Sequence, residues 1–312
     1  MAVIIILLII VGLIHIWAKA SARKIQATPS AHSFETLNKE PTGDETFIIR
    51  EDGTRIRAIS IGEGPTVILA HGYGSTLQEW NVVWDLAQKE EYRVIAFDLR
   101  GHGKSTIGSD GIGSQQMAGD YKAVLEYFDV HDGLLVGHSL GGFLVIVLLL
   151  THSQTSVERL KGVVLFASMA GNVLKGSPQT RILSPLIKWG IPQKLMASNT
   201  YGWILGASFF GNTPIPAAIK VLKQIFPAQH HNKLIPITEA LAKEDYYSRL
   251  QEIQLPCVVI CGEKDNTTPA WHSEALGKGI PNARNVWVEG KGHMLNWEAP
   301  ETLIEAIQSF GE

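Results

Sequence analysis

From Phe47 onward, short β-branched apolar runs alternate with segments of helical period. That alternation restricts the chain to a sheet whose strands are mostly parallel and flanked by helices. Eight runs read as strands: Phe47–Arg50, Arg55–Ile61, Thr66–Ala70, Arg93–Phe97, Leu134–Val136, Gly162–Phe166, Cys257–Cys261 and Asn285–Val288. Helical period marks Trp80–Lys89, Gly113–Phe128, Leu140–His152, Ala270–Leu276 and Pro300–Phe310. The first two strands, joined through Glu51-Asp52-Gly53, predict an antiparallel hairpin at one edge. Between about Ala170 and Leu250 prolines, glycines and aromatics break the pattern before it resumes at Pro256, as an inserted lid would. With 312 residues, 45% of them hydrophobic, the chain can bury the core such a sheet needs.

The N-terminus is a different kind of sequence. Ala2 to Ala18 form an almost unbroken apolar run, about 26 Å long as a helix and just short of a ~30 Å hydrocarbon core. The leading reading is a membrane anchor over residues 1–18, followed by a polar tether over 19–45. A signal peptide cut near Ala18-Lys19-Ala20 is the alternative, and would leave a secreted or periplasmic protein; no Lys or Arg precedes the run to favour it. A buried core helix is the third reading, and the lack of a polar face argues against it. Lys19, Arg23 and Lys24 follow the run, which by the positive-inside tendency places the main domain in the cytoplasm.

Charge and cysteine content remove other classes. A net charge of -3 gives no global reason to bind nucleic acid. Cys257 and Cys261, four apart in a strand, lie roughly 13 Å from each other, beyond disulfide reach. No Cys/His zinc spacing is present, so neither a metal nor a cofactor is expected.

The strongest chemical signal is Gly137-His138-Ser139-Leu140-Gly141, directly after one apolar strand and directly before an apolar helix. A sharp strand-to-helix turn needs small neighbours, and it lifts the Ser139 hydroxyl to the C-terminal edge of the sheet beside a helix N-terminus. A serine hydroxyl needs a base, and the base needs an orienting carboxylate. Beyond the insertion there are two histidines, His272 at a helix start and His293 in the glycine-flanked loop after the last strand; His293 is preferred. The loop after Cys257–Cys261 offers Glu263 and Asp265, and Asp265 lies further past the strand end. No Asp or Glu occurs between Arg159 and Thr238, which leaves that later loop as the source of the acid. For the oxyanion of acyl transfer, the backbone N–H groups of Tyr73, in His71-Gly72-Tyr73-Gly74, and of Leu140 are the expected donors. The Tyr73 side chain either lines an acyl pocket or shields the site.

Taken together in chain order, the His71-Gly72 turn, the Asp98-to-Ser105 loop, the Ser139 elbow, Asp265 and His293 resemble the α/β-hydrolase superfamily, from about Phe47 to the C-terminus. The resemblance implies an α/β-hydrolase fold: a mostly parallel eight-stranded sheet with a helical cap inserted after strand 6, here preceded by an N-terminal transmembrane helix. It implies a core over 46–169 and 251–312, a cap over 170–250 that sets the substrate, and an architectural role for Arg100 and His102. Relatives with an Asp nucleophile carry out epoxide or haloalkane chemistry, which Ser139 makes unsuitable here. The implied activity is a serine hydrolase that cleaves carboxylic esters through an acyl-enzyme, with acyl transfer or C–C bond hydrolysis as alternatives and a non-catalytic binding protein as a third. Between Ala170 and Thr238 lie Lys175, Arg181, Lys188, Lys194, Lys220, Lys223 and Lys233 without an acid, interleaved with aromatics that include Trp189 and Trp203. A basic, aromatic cap suits anionic lipid headgroups and lipophilic esters of monoacylglycerol or lysophospholipid type.

Overall fold

The structure, a computed structural model, describes residues 2–311, with the side chains of residues 2–5 and 7 outside the description. Its sheet has eight strands: β1 (Asp44–Ile49), β2 (Arg55–Ile61), β3 (Thr66–Ala70), β4 (Arg93–Phe97), β5 (Gly133–His138), β6 (Leu160–Phe166), β7 (Cys257–Gly262) and β8 (Ala283–Val288). Their order is β1-β2-β4-β3-β5-β6-β7-β8. β1 and β2 form the expected edge hairpin and β2 meets β4 antiparallel; every later pair is parallel.

Successive side chains point to opposite faces, so the apolar runs feed two cores at once. Ile68, Ala70, Ile95, Leu135 and Leu165 face one layer. Val67, Leu69, Val94, Val136 and Phe166 face the other. Among the described residues fourteen α-helices accompany the sheet. α1 (Ala2–Gln26) and α2 (Phe34–Leu37) precede it; α3 (Asn81–Lys89), α4 (Ser114–Tyr127), α5 (Leu140–Thr151) and α6 (Ser153–Arg159) alternate with its strands. α7 (Pro178–Leu183), α8 (Ile191–Ala197), α9 (Tyr201–Ala207), α10 (Pro216–Ala228) and α11 (Ile235–Lys243) lie between β6 and β7. α12 (Ala270–Gly279), α13 (Leu295–Glu298) and α14 (Pro300–Gln308) complete the chain. α4 and α5 pack on the first layer and α3 and α14 on the second. Helix α5 is apolar all round because it is buried from Leu140 to Leu149, pressed between sheet and α4.

The N-terminal segment differs from a tether. Helix α1 runs on to Gln26, and Ala18 and Ala22 are 1% and 3% exposed where it packs on α9 of the insertion. Ile25, Phe34 and the fully buried Leu37 join a third apolar cluster with Ile219, Leu222 and Trp297. Arg57 clamps Glu40 at 2.7 Å and Glu45 at 2.8 Å. Ala18, Ala22 and Ile25 share one helical face, which is why a stretch polar in composition still docks. The anchor expected over residues 1–18 falls partly on residues 1–5 and 7, outside the described side chains. Among the described residues no single helix is long and apolar enough to cross a membrane.

Candidate active site

At the end of β5 the backbone turns sharply into α5. Ser139 sits in the turn with φ 52° and ψ −115°, a conformation that L side chains rarely adopt. The turn exists only because its neighbours lack side chains. A Cβ on Gly137 would lie 2.5 Å from the Gly142 Cα, and one on Gly141 would lie 2.3 Å from the Ala70 carbonyl oxygen. Two further bonds hold the elbow: the Ser139 amide donates to Phe166 O at 2.9 Å and the Ser168 hydroxyl donates to Ser139 O at 3.0 Å.

The two loops after β7 and β8 meet beside this turn. His293 Nδ1 lies 2.8 Å from Asp265 Oδ2. Asp265 Oδ1 accepts the amides of Thr267 and Thr268 at 2.8 and 2.9 Å, and Oδ2 also accepts the Thr268 hydroxyl at 2.6 Å. Burial alone would raise the Asp265 carboxyl; the facing His293 imidazole and the Thr268 donors outweigh it and hold the acid ionised, below its ordinary range. With Nδ1 committed to Asp265, Nε2 is the nitrogen available to a hydroxyl. Ser139 and His293 line the same cavity, though among the described residues no hydrogen bond joins them. Such contacts often close only around substrate.

The other candidates are placed elsewhere. His272 stacks on Trp271, with 3.8 Å between ring centroids, and its Nδ1 meets the Tyr247 hydroxyl away from the cavity. Glu263 Oε2 accepts the Gly290 amide at 3.3 Å, bracing the loop that carries His293.

Opposite the histidine, the amides of Tyr73 and of Leu140, the first residue of α5, donate to no protein acceptor among the described residues. The Tyr73 side chain lines the cavity, and its hydroxyl donates to His231 Nδ1 at 2.9 Å, because His231 Nε2 is spent on Phe226 O at 2.7 Å. The Arg100 and His102 region is structural. Arg100 pairs with Asp120 at 2.7 Å and Asp52 at 2.6 Å, His102 is held by the Arg100 carbonyl, and the Leu99 amide donates to His71 Nε2 at 2.9 Å.

The cavity, of about 180 Å³, is walled by the helical insertion, with Leu183, Ile187, Met196, Leu205, Leu222 and Leu241 in its lining. The insertion is stitched to the histidine loop. The His293 amide donates to Phe209 O at 2.7 Å, and the two oxygens of Glu298 accept the amides of Gly211 and Gly292, each at 2.9 Å. Three participants escaped the sequence. Glu79 and His138 lie beneath the elbow, and Glu298 bridges the insertion. His138 stood inside the serine motif at a position the pattern leaves open; Glu79 and Glu298 look like surface carboxylates on short helices.

The sequence model of the Alpha/beta hydrolase family matches residues 67–306. Among curated relatives, the AB hydrolase superfamily protein YisY of Bacillus subtilis is 25% identical over 272 residues, covering 85% of this chain and 98% of its own. The Bifunctional esterase/perhydrolase DCH of Acinetobacter calcoaceticus is 24% identical, covering 85% and 98%. Among solved structures, an esterase from Exiguobacterium antarcticum superposes with a TM-score of 0.75 at 24% identity, over 86% of this chain and 99% of that one. At that identity the superposition speaks for the fold alone.

Proposed function

The chain belongs to the alpha/beta hydrolase family, and from that premise we propose that it is a membrane-anchored serine hydrolase cleaving lipophilic carboxylic esters. The observation that carries the reading is the Asp265–His293 pair at 2.8 Å on the rim of an apolar cavity shared with the strained Ser139. Ser139 Oγ attacks the ester carbonyl while His293 Nε2 takes its proton. Asp265 stabilises the imidazolium that results. The carbonyl oxygen, now an oxyanion, receives the amides of Tyr73 and Leu140. His293 returns the proton to the departing alkoxide, and the acyl group stays on Ser139. A water then gives a proton to His293 and its hydroxyl to the acyl carbon, and as the bond from that carbon to Ser139 Oγ breaks His293 passes the proton to Oγ, releasing acid and free serine.

The insertion acts as a cap whose aliphatic lining selects an acyl chain. The names of relatives, one of them an esterase/perhydrolase, agree with ester chemistry. Reaction with a fluorophosphonate probe, lost in Ser139→Ala, tests the nucleophile. Rates on p-nitrophenyl esters of increasing length alongside monoacylglycerols test the substrate class, and a flat or acetate-favouring profile rejects a lipophilic substrate. Product analysis with an added alcohol separates hydrolysis from acyl transfer.

Membrane attachment draws on the exposed apolar residues of α1, among them Leu8, Val11, Leu13 and Trp17, each more than 60% exposed. His15 Nδ1 lies 3.1 Å from the Tyr201 hydroxyl at the start of α9. If the apolar run enters the bilayer, α9 rests at its surface. Leu205, which lines the cavity, is one turn along that helix, about 6 Å away. Ile182 and Trp189, 66% and 59% exposed, stand next to Arg181 and Lys188 in sequence, a pairing of apolar and basic side chains that suits a lipid interface. On this reading the catalytic domain rests against the cytoplasmic leaflet, the side that Lys19, Arg23 and Lys24 after the apolar run favour. Deleting residues 1–13, which spares the docked half of α1, is expected to release the protein from vesicles. Lys188→Glu should weaken binding to anionic vesicles alone. Intact mass identifies a cleaved signal peptide, the outcome that defeats anchoring.

A further inference from the structure

Two buried ionisable side chains that this chemistry does not use lie beneath the elbow. Glu79, in the turn Leu77–Trp80, is 1% exposed and His138 is 2% exposed. Glu79 Oε1 lies 2.9 Å from His138 Nδ1 and accepts the Gly72 amide at 3.1 Å. His138 Nε2 lies 3.1 Å from the carbonyl oxygen of His293. A carbonyl can only accept, so Nε2 carries a proton. The Gly72 amide donating to Oε1 favours the carboxylate, and a ring whose Nδ1 faces a carboxylate oxygen carries its second proton there, as an imidazolium. The pair touches three loops at once. Gly72 precedes the oxyanion donor Tyr73, His138 precedes the nucleophile, and the His293 carbonyl belongs to the base.

We propose that Glu79 and His138 form a standing buried ion pair, positioning residues that lock these three loops together. The His138 and His293 rings are 4.9 Å apart between centroids. His138 is the member of the pair that contacts the base, through the His293 carbonyl at 3.1 Å. The other groups around His138 are the Trp80 and Phe166 rings, Gly72, and, as further ionisable neighbours, Asp265 and His71. Burial works against the charged ring, but the Glu79 carboxylate more than offsets it, and His138 holds its proton above the ordinary histidine range. Glu79 is correspondingly held below its own range despite its burial, with the His138 cation as the main cause. Breaking one half of such a pair strands the other charge.

The positioning role rests on the reading of His293 as the base; the charge state does not. The full chain in detergent micelles, labelled with ¹⁵N in its 11 histidines, gives the direct test. His138 is expected to keep both nitrogens protonated at pH 8, and a neutral His138 at pH 7 overturns the pair. Glu79→Gln preserves the acceptor for Gly72 and removes the charge. It is expected to neutralise His138 at pH 7, leaving one of its nitrogens protonated, and to lower kcat with KM unchanged. A folded Glu79→Gln protein in which His138 keeps both protons at pH 7 refutes the pairing, and an unchanged kcat in one whose His138 is neutral refutes the positioning role. Fluorophosphonate labelling of both proteins separates the readings: without labelling the serine-hydrolase assignment fails, while the nitrogen spectra still decide the pair.

Discussion

Asp265→Asn isolates one atom of the site. Asn can keep an oxygen where Oδ1 accepts the Thr267 and Thr268 amides at 2.8 and 2.9 Å, so the turn retains its shape. Its amide nitrogen then takes the place of Oδ2, 2.8 Å from His293 Nδ1. A donor there stabilises the tautomer with a bare Nδ1 and a protonated Nε2, so the face toward Ser139 has no lone pair to accept the hydroxyl proton. In a Ser-His-Asp arrangement the wrong tautomer lowers kcat by about 10⁴-fold, or about 5 kcal/mol of transition-state stabilisation. The Thr268 hydroxyl, 2.6 Å from Oδ2, can turn its proton to the Ala167 carbonyl at 3.0 Å and accept from the new amide, so the exchange of one hydrogen bond costs only about 0.5–1.5 kcal/mol of stability. Steady-state hydrolysis of a medium-chain p-nitrophenyl ester should show the loss in kcat with KM unchanged, and urea unfolding should show only the smaller stability change. A fall in kcat of less than about tenfold in a folded protein refutes the assignment of Asp265, as does a His293 that keeps its proton on Nδ1 in the variant.

Three other perturbations follow from named contacts. Gly141→Ala places a methyl 2.3 Å from the Ala70 carbonyl oxygen, backbone against backbone. Urea unfolding should show a loss of at least about 1–3 kcal/mol, and an unchanged midpoint contradicts the packing of the elbow. Leu205→Trp fills part of the cavity wall and is expected to cut kcat/KM on decanoyl esters by about tenfold or more while leaving acetyl esters within about threefold; an equal loss on both refutes an acyl pocket at that wall. Asp52 meets Arg100 at 2.6 Å, and although burial alone would raise its carboxyl, the Thr54 amide, Arg100 and the Thr54 hydroxyl bring it down to about 2. Because the folded value lies below the unfolded one, near 3.9, this stabilisation is present above pH 4 and is lost as pH falls toward 2. Asp52→Asn should flatten that part of the melting temperature against pH, and an unaltered slope removes the carboxylate from the account.

What could be seen in the sequence divides along a physical line. Strands buried on both faces must be apolar throughout, and an elbow with a serine at positive φ must have glycines around it, so β3 to β7 and the turn at Ser139 announce themselves within a few consecutive residues. The preference for Asp265 over Glu263 drew on its place further past the strand end, and that for His293 over His272 on a glycine-flanked loop against a helix start. Glu79 and His138 resisted because their pairing spans 59 positions, and nothing local tells a buried carboxylate from a solvated one. Glu298, joining Gly211 to Gly292, was hidden for the same reason. The N-terminal segment shows the intermediate case. Ala18, Ala22 and Ile25 already carry a helical face, but a face of two alanines and one isoleucine becomes a docking surface only when α9 presents a partner. Local covalent and steric constraints are therefore written where they act, whereas the polar and packing contacts that join distant loops depend on the fold that brings them together. In this site, the groups proposed to carry the reaction belong largely to the first kind, and those that hold them in register to the second.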